Sequence, residues 1–331
     1  MASEVQSSSD SSRPGILAGL QSIWNALPNR IAVVVLLALW VAAFQWLGNS
    51  TLGYVDTSSL FGWWSWVMKN TPDEEHAYLI PFVVVALLWS RREEFLRLEK
   101  GTWFPALGVL VFAVLLHMAG YMVQQTRLSV VAFFLGIYGI AGMMVGRSWM
   151  GLALFPFSLF LFCVPLGANN TEIVSFPLRL MATTITAWFS DWILGIKVVQ
   201  TGTQLMDAGG TYQYEVAAAC SGIRSLTAIV AFSVVYAYLA FKTTWRRALI
   251  VASAFPLAVV ANVFRLTLIV IAAEAFGQDA GNYVHESSIF SMAPYIPSIG
   301  GMLLLGWWLG EDRKKRKPAE PVILVGAEHK S

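Results

Sequence analysis

Residues 248–276 read ALIVASAFPLAVVANVFRLTLIVIAAEAF, a run whose only charges are Arg265 and Glu274. A helix needs about 20 predominantly apolar residues to cross a bilayer, and this run exceeds that. It is too long for one straight span, so a bend is expected at Pro256 or after Arg265. Working outward, seven more apolar runs are found, at about 31–48, 77–90, 103–122, 128–145, 149–166, 217–241 and 289–310. The expected fold class is therefore an all-α polytopic membrane protein with about eight transmembrane helices.

The composition agrees. Of 331 residues, 56% are hydrophobic and 13% charged, with a net charge of +2 and a mean hydropathy of +0.61. An average globular chain carries about 25% charged residues, so a soluble enzyme or a nucleic-acid binder is excluded as a reading. Two Cys in the whole chain leave no disulfide framework and no thiolate metal site. No P-loop, dinucleotide-binding glycine pattern, HExxH, CxxC or GxSxG is present, so no cofactor and no metal is expected.

The few charges give an orientation. With the N-terminus in the cytoplasm, sixteen Lys and Arg fall on the cytoplasmic side: Arg13, Arg30, Arg91, Arg92, Arg97, Lys100, Arg147, Lys242, Arg246, Arg247, the five of Arg313–Lys317 and Lys330. Four fall opposite: Lys69, Arg127, Arg179 and Lys197. Both termini are expected in the cytoplasm, in a plasma (inner) membrane. Residues 1–30 read as a cytoplasmic tail ending in an amphipathic surface helix, 31–310 as the membrane domain, and 311–331 as a basic tail. Gly136, Gly139, Gly142 and Gly146 are expected to let helices pack closely. The outer stretch 167–216 contains an amphipathic segment, 173–196, and then a β-hairpin turning at Asp207-Ala208-Gly209-Gly210.

Arg224 and Arg265 remain, both inside apolar runs, where ionisable residues are costly and functional by default. Cys220, in Ala-Ala-Ala-Cys-Ser-Gly-Ile-Arg, lies 21 residues from Phe241. At 1.5 Å per residue that is about 32 Å, one hydrocarbon thickness, which sets Cys220 at the outer boundary. Two readings stand for it. It is a small apolar packing residue, or it is a nucleophile favoured as thiolate by the helix N-terminus and by Arg224 one turn on. Ser221 and its small neighbours leave the sulfur room to be approached. Cys163, between Phe162 and Val164, has no cation near it in sequence and reads as structural.

Arg265, about 27 Å beyond Arg247, reaches the same boundary. It is either a guanidinium oriented by a hydrogen bond to Asn262 one turn back, or an arginine snorkelling to headgroups. His285, before the last span, is either an imidazole serving the site or an exposed loop histidine. His76 heads the second span on the same side, and His117 reads as a satisfied core histidine. A thiol, a cation and an imidazole on one face are the parts needed for thiol-based acyl transfer. A transporter or channel, and a polysaccharide polymerase or acyltransferase, are the competing readings.

The stretch Ala219–Ser225, the segment Asn262-Val263-Phe264-Arg265, a His before the last span, and His76–Pro81 with Arg91-Arg92 together resemble the exosortase/archaeosortase family of membrane cysteine transpeptidases. The resemblance covers roughly residues 30–310. It implies a catalytic triad of Cys220, Arg265 and His285. It further implies partners that are secreted proteins with a C-terminal sorting signal: a short motif (Pro-Glu-Pro in one large class), a transmembrane helix and a basic end. The cut protein passes to an acceptor of unknown identity, often in organisms that make exopolysaccharide. Two departures bear on subfamily and motif: the family's usual Ser-His-Gly reads Glu75-His76-Ala77, and the final His is followed by Glu286 rather than Gly. The hairpin at 197–216 is expected to offer a strand edge to the extended motif.

Overall fold

The structure, a computed structural model, describes residues 15–48, 57–70, 76–165, 168–210, 212–215, 223–287, 290 and 292–310. Two compact units divide the chain, residues 1–170 and 171–331. The first carries α1 (Ile16–Ala26), α2 (Arg30–Trp46), α3 (Leu60–Asn70), α4 (Ile80–Ser90), α5 (Arg92–Arg97), α6 (Ala106–Met122), α7 (Thr126–Val145) and α8 (Arg147–Ser158). The second carries α9 (Ala168–Phe189), which begins at the boundary, then β1 (Val198–Thr201), β2 (Gln204–Asp207) and β3 (Gln213–Glu215). These are followed by α10 (Ile223–Ala240), α11 (Thr244–Phe276), α12 (Gln278–Glu286) and α13 (Tyr295–Trp308).

Each of the eight apolar runs carries a helix, but their lengths differ from the expectation. Among the described residues two helices, α7 and α11, are long and apolar enough to cross a membrane, with mean hydropathies of 2.2 and 2.1. A third candidate is the pair α1 and α2, bent by 96° at Asn29 and its neighbours. Proline and a tight turn shorten the helices of two further runs. The run 149–166 contains Pro156 and tightens into a 3₁₀ turn at Leu159–Cys163, and α13 starts only after Pro294. α11 instead runs unbroken through Pro256 for 33 residues, or about 50 Å. α3, rich in Trp, was not anticipated from the sequence.

Lipid is as apolar as a leucine side chain, so in a membrane helices associate by close packing rather than by hiding apolar surface. The first unit follows this rule around α7. A Cβ on Gly136 would strike the Trp40 indole of α2, one on Gly139 would press on Leu110 of α6, and one on Gly142 on Met150 of α8. Trp40 Nε1 donates to the Phe133 carbonyl at 3.0 Å, and Phe44 packs against Phe133 and His117. Apolar side chains such as Phe82, Val85 and Leu115 stay exposed on the outer faces of the helices, as suits a lipid-facing surface.

In the second unit the three residues between α10 and α11 make these helices antiparallel neighbours. Leu226, Ile229, Ala237 and Phe241 share a buried cluster with Ile250, Ala254, Ala258 and Met302. Gly301 and Gly306 let α13 close on Leu257 and Tyr236. The expected hairpin is a three-stranded antiparallel meander, order β1-β2-β3. The additional turn is Gly202-Thr203, between Thr201 and Gln204, where Gly202 adopts φ +60°. A two-residue hairpin loop demands such a left-handed residue, and glycine supplies it without steric cost.

Candidate functional site

A polar level in the second unit separates two apolar clusters. On α11 the first cluster ends at Ala258 and the second begins at Val263, with Asn262 between them and Arg265 two residues beyond Val263. On α9, Leu178 packs on the first cluster and Ala182 belongs to the second, with Arg179 between. Seventeen residues separate Ile223 from Ala240 in α10, and seventeen separate Thr244 from Ala261 in α11. Because the two helices are antiparallel, the start of α10 lies level with Ala261 and the residues just beyond it.

Arg265 and His285 meet at this level. Arg265 Nη2 donates to the His285 carbonyl oxygen at 3.0 Å. The approach depends on the turn at Gly277, whose φ of +87° ends α11 and sends the chain back as α12. Val284 then packs with Leu266, Ile269, Val270 and Ala273, which holds α12 along the last third of α11. His285 therefore lies on a short helix, half-buried, and not in an exposed loop. Burial pushes its imidazole below the ordinary value of 6.5, the Arg265 cation pushes it the same way, and Glu286 opposes both. A neutral imidazole is the form able to accept a proton.

Asn262 differs from the expectation. Its side chain is 4% exposed, and its Nδ2 has no partner among the described residues. The guanidinium is held by the His285 carbonyl and not by Asn262. Arg265 Nε is likewise buried without a partner there. Among the described residues no carboxylate forms an ion pair with Arg265. A buried donor left unpaired costs about 1–3 kcal/mol. Arg265 and Asn262 thus bring a cation and unpaired N–H groups to one level.

The β-sheet is fastened to the same two helices. Tyr212 Oη donates to Glu274 Oε2 at 3.2 Å, and the Gln213 amide donates to Gln278 Oε1 at 3.0 Å. Leu205 and Tyr212 are buried in the cluster that contains Val284. β3 ends at Glu215 and α10 begins at Ile223. Cys220 and Ser221, between them, lie outside the described residues, and so does the side chain of Arg224, in the first turn of α10.

Arg179 was read from the sequence only as one of four outer-side cations, yet it is 7% exposed, with its guanidinium 5.8 Å over the Phe176 ring. The available signal was an arginine inside the amphipathic run 173–196. The remaining candidates lie in the first unit. His76 Nε2 is 3.1 Å from the Phe162 carbonyl, and Cys163 Sγ, fully buried, donates to the Ala77 carbonyl at 3.6 Å. Together they tie the start of the second apolar run to the 3₁₀ turn. His117 contacts Ser129 Oγ and the Leu47 carbonyl at 3.0 and 3.1 Å, which is the satisfied core histidine expected.

Compared with known protein families, the chain matches the family described as transmembrane exosortase (Exosortase_EpsH) over residues 63–293. No curated protein and no solved structure matches it.

Proposed function

The chain belongs to the transmembrane exosortase family, and from that premise we propose that it is a membrane-embedded cysteine peptidase and transpeptidase. Its substrates are secreted proteins whose C-terminal sorting signal combines a short motif, a transmembrane helix and a basic end. Cleavage occurs at the outer membrane–water boundary, in a plasma membrane crossed about eight times with both termini in the cytoplasm. The new carboxyl end passes through a thioester to an acceptor.

The observation that carries this reading is the Arg265–His285 contact, which joins two residues 20 apart in sequence at the level where α10 begins. In the proposed mechanism Cys220 is the nucleophile. The N-terminal dipole of α10 and the nearby cations favour its thiolate, while His285 accepts the thiol proton. The thiolate attacks the scissile carbonyl carbon, and the carbonyl π pair moves to oxygen. Collapse of this intermediate breaks the C–N bond, and the leaving nitrogen takes the proton from His285. An acceptor amine or water then resolves the thioester. The outer strands β1 and β3 offer edges for the extended motif, and Cys220 follows the end of β3 by five residues in sequence.

The test is processing of a co-expressed sorting-signal protein from the same host. Cys220→Ala abolishes processing and Cys163→Ala retains it. Full processing by Cys220→Ala overturns the mechanism and favours a transporter, or a transferase that needs no thiol.

A further inference from the structure

We propose that Asn262 is a catalytic residue, whose side-chain amide, together with Arg265 Nε, donates to the substrate carbonyl oxygen as it becomes an oxyanion. This rests on the peptidase reading above and assigns a role to a residue outside the triad.

Three observations carry it. Asn262 is 4% exposed, and its Nδ2 has no hydrogen-bond partner among the described residues. Polar groups so buried are almost always paired, and one that is not calls for an explanation in a ligand or in chemistry. Next, Arg265 follows at i+3 on the same face of α11, and its buried Nε is also without a partner there. Lastly, Arg265 Nη2 is committed to the His285 carbonyl at 3.0 Å. That bond fixes the guanidinium and leaves Nε as a separate donor, on the residue one helical turn from the asparagine.

Two N–H donors, one cationic and one neutral, suit a single oxygen that gains negative charge. The ligand class is thus a peptide carbonyl. When the thiolate adds to the carbonyl carbon, the π pair settles on this oxygen. When the intermediate collapses, the pair returns and the C–N bond breaks, so the donors gain and lose nothing but hydrogen bonds. A donor pair held in place before the charge develops strengthens most in the transition state.

The experiment uses the full chain in vesicles with the co-expressed sorting-signal protein, comparing wild type, Asn262→Ala and Asn262→Leu. Leucine matches asparagine in shape and removes a buried polar group that lacks a partner, so Asn262→Leu melts at or above the wild-type temperature. Both variants lose about 100- to 1,000-fold in kcat with KM little changed, the usual effect of deleting one such donor. Alkylation of Cys220 by iodoacetamide stays at the wild-type rate, because that reaction displaces iodide and places no charge on a carbonyl oxygen. Wild-type kcat in Asn262→Leu overturns the proposal. So does a parallel loss of processing, alkylation and melting temperature in both variants, which marks a structural residue. Retained processing in Cys220→Ala defeats the peptidase reading itself, and is told apart by that variant alone.

Discussion

Arg265 Nη2 donates to the backbone carbonyl of His285 at 3.0 Å, across 20 residues of chain. One guanidinium therefore does two things. It holds the C-terminal end of α12 against α11, and it brings a positive charge to the imidazole that the same residue carries.

Arg265→Lys is expected to behave as a severe substitution. Lysine is a point charge without the planar fork that lets one side chain serve several acceptors in fixed directions. A hydrogen bond from a charged group contributes about 1.5–3 kcal/mol, so the melting temperature in detergent falls. Processing falls by about 100-fold or more. Wild-type processing by Arg265→Lys would show that the fork geometry is not needed.

The pH profile has a definite sign. Burial and Arg265 both favour neutral His285, so the acid limb of kcat/KM lies below the ordinary imidazole value of 6.5. Glu286 opposes them, and Glu286→Gln therefore moves the limb further toward acid. The folded value lies below the unfolded one, so the stability contributed by the buried neutral imidazole is fully present above about pH 6.5. It is lost as the pH falls through the folded value. Rate and melting profiles from pH 4 to 8, an interval set by the usual ~6.5 of histidine, check both statements. A limb above 6.5 would contradict them.

Glycine positions in the first unit divide into two kinds. Gly136→Ala drives a methyl into the Trp40 ring and costs about 1–3 kcal/mol by overpacking. Gly108, in α6, has nothing within 4 Å of an added Cβ. Gly108→Ala is neutral or gains up to about 1 kcal/mol in helix propensity. Thermal melts of the two variants give the comparison, and equal losses would contradict this packing.

The meander is joined to the site through Gln278, whose Oε1 accepts from the Gln213 amide and whose Nε2 reaches Asn282 Oδ1 at 3.1 Å. Gln278→Ala leaves that amide without this acceptor and destabilises by about 1 kcal/mol. Hydrogen exchange should rise selectively at the Gln213 amide, while α7 keeps its protection. Unchanged exchange at Gln213 would show that Gln278 does not fasten the strand.

Much of the architecture was legible in local pattern. The eight apolar runs each carry a helix, because a backbone without water must bond within its own segment. The glycines of α7 mark close approaches for a similarly local reason, since a missing side chain is visible in sequence wherever its neighbour sits. Other features escaped this logic. The turn at Gly202 gave a third strand where one hairpin was expected, since one glycine between polar residues is a weak signal beside Asp207–Gly210. Arg179 looked like a surface cation until α9 packed on both apolar clusters.

Asn262 was expected to orient Arg265 because the two share a helix face, and a shared face is all that spacing can establish. Which acceptor a guanidinium takes depends on where α12 returns after Gly277, a matter of one dihedral angle and of Val284 packing on α11. Composition and periodicity thus determined a polytopic helical protein, and the motif around Cys220 its family resemblance. The tertiary structure alone decided that His285 lies half-buried on a helix, held by Arg265, while Asn262 Nδ2 has no partner among the described residues. Periodicity is set by contacts a few residues apart along the chain. Hydrogen-bond partners 20 residues apart are chosen only when helices pack.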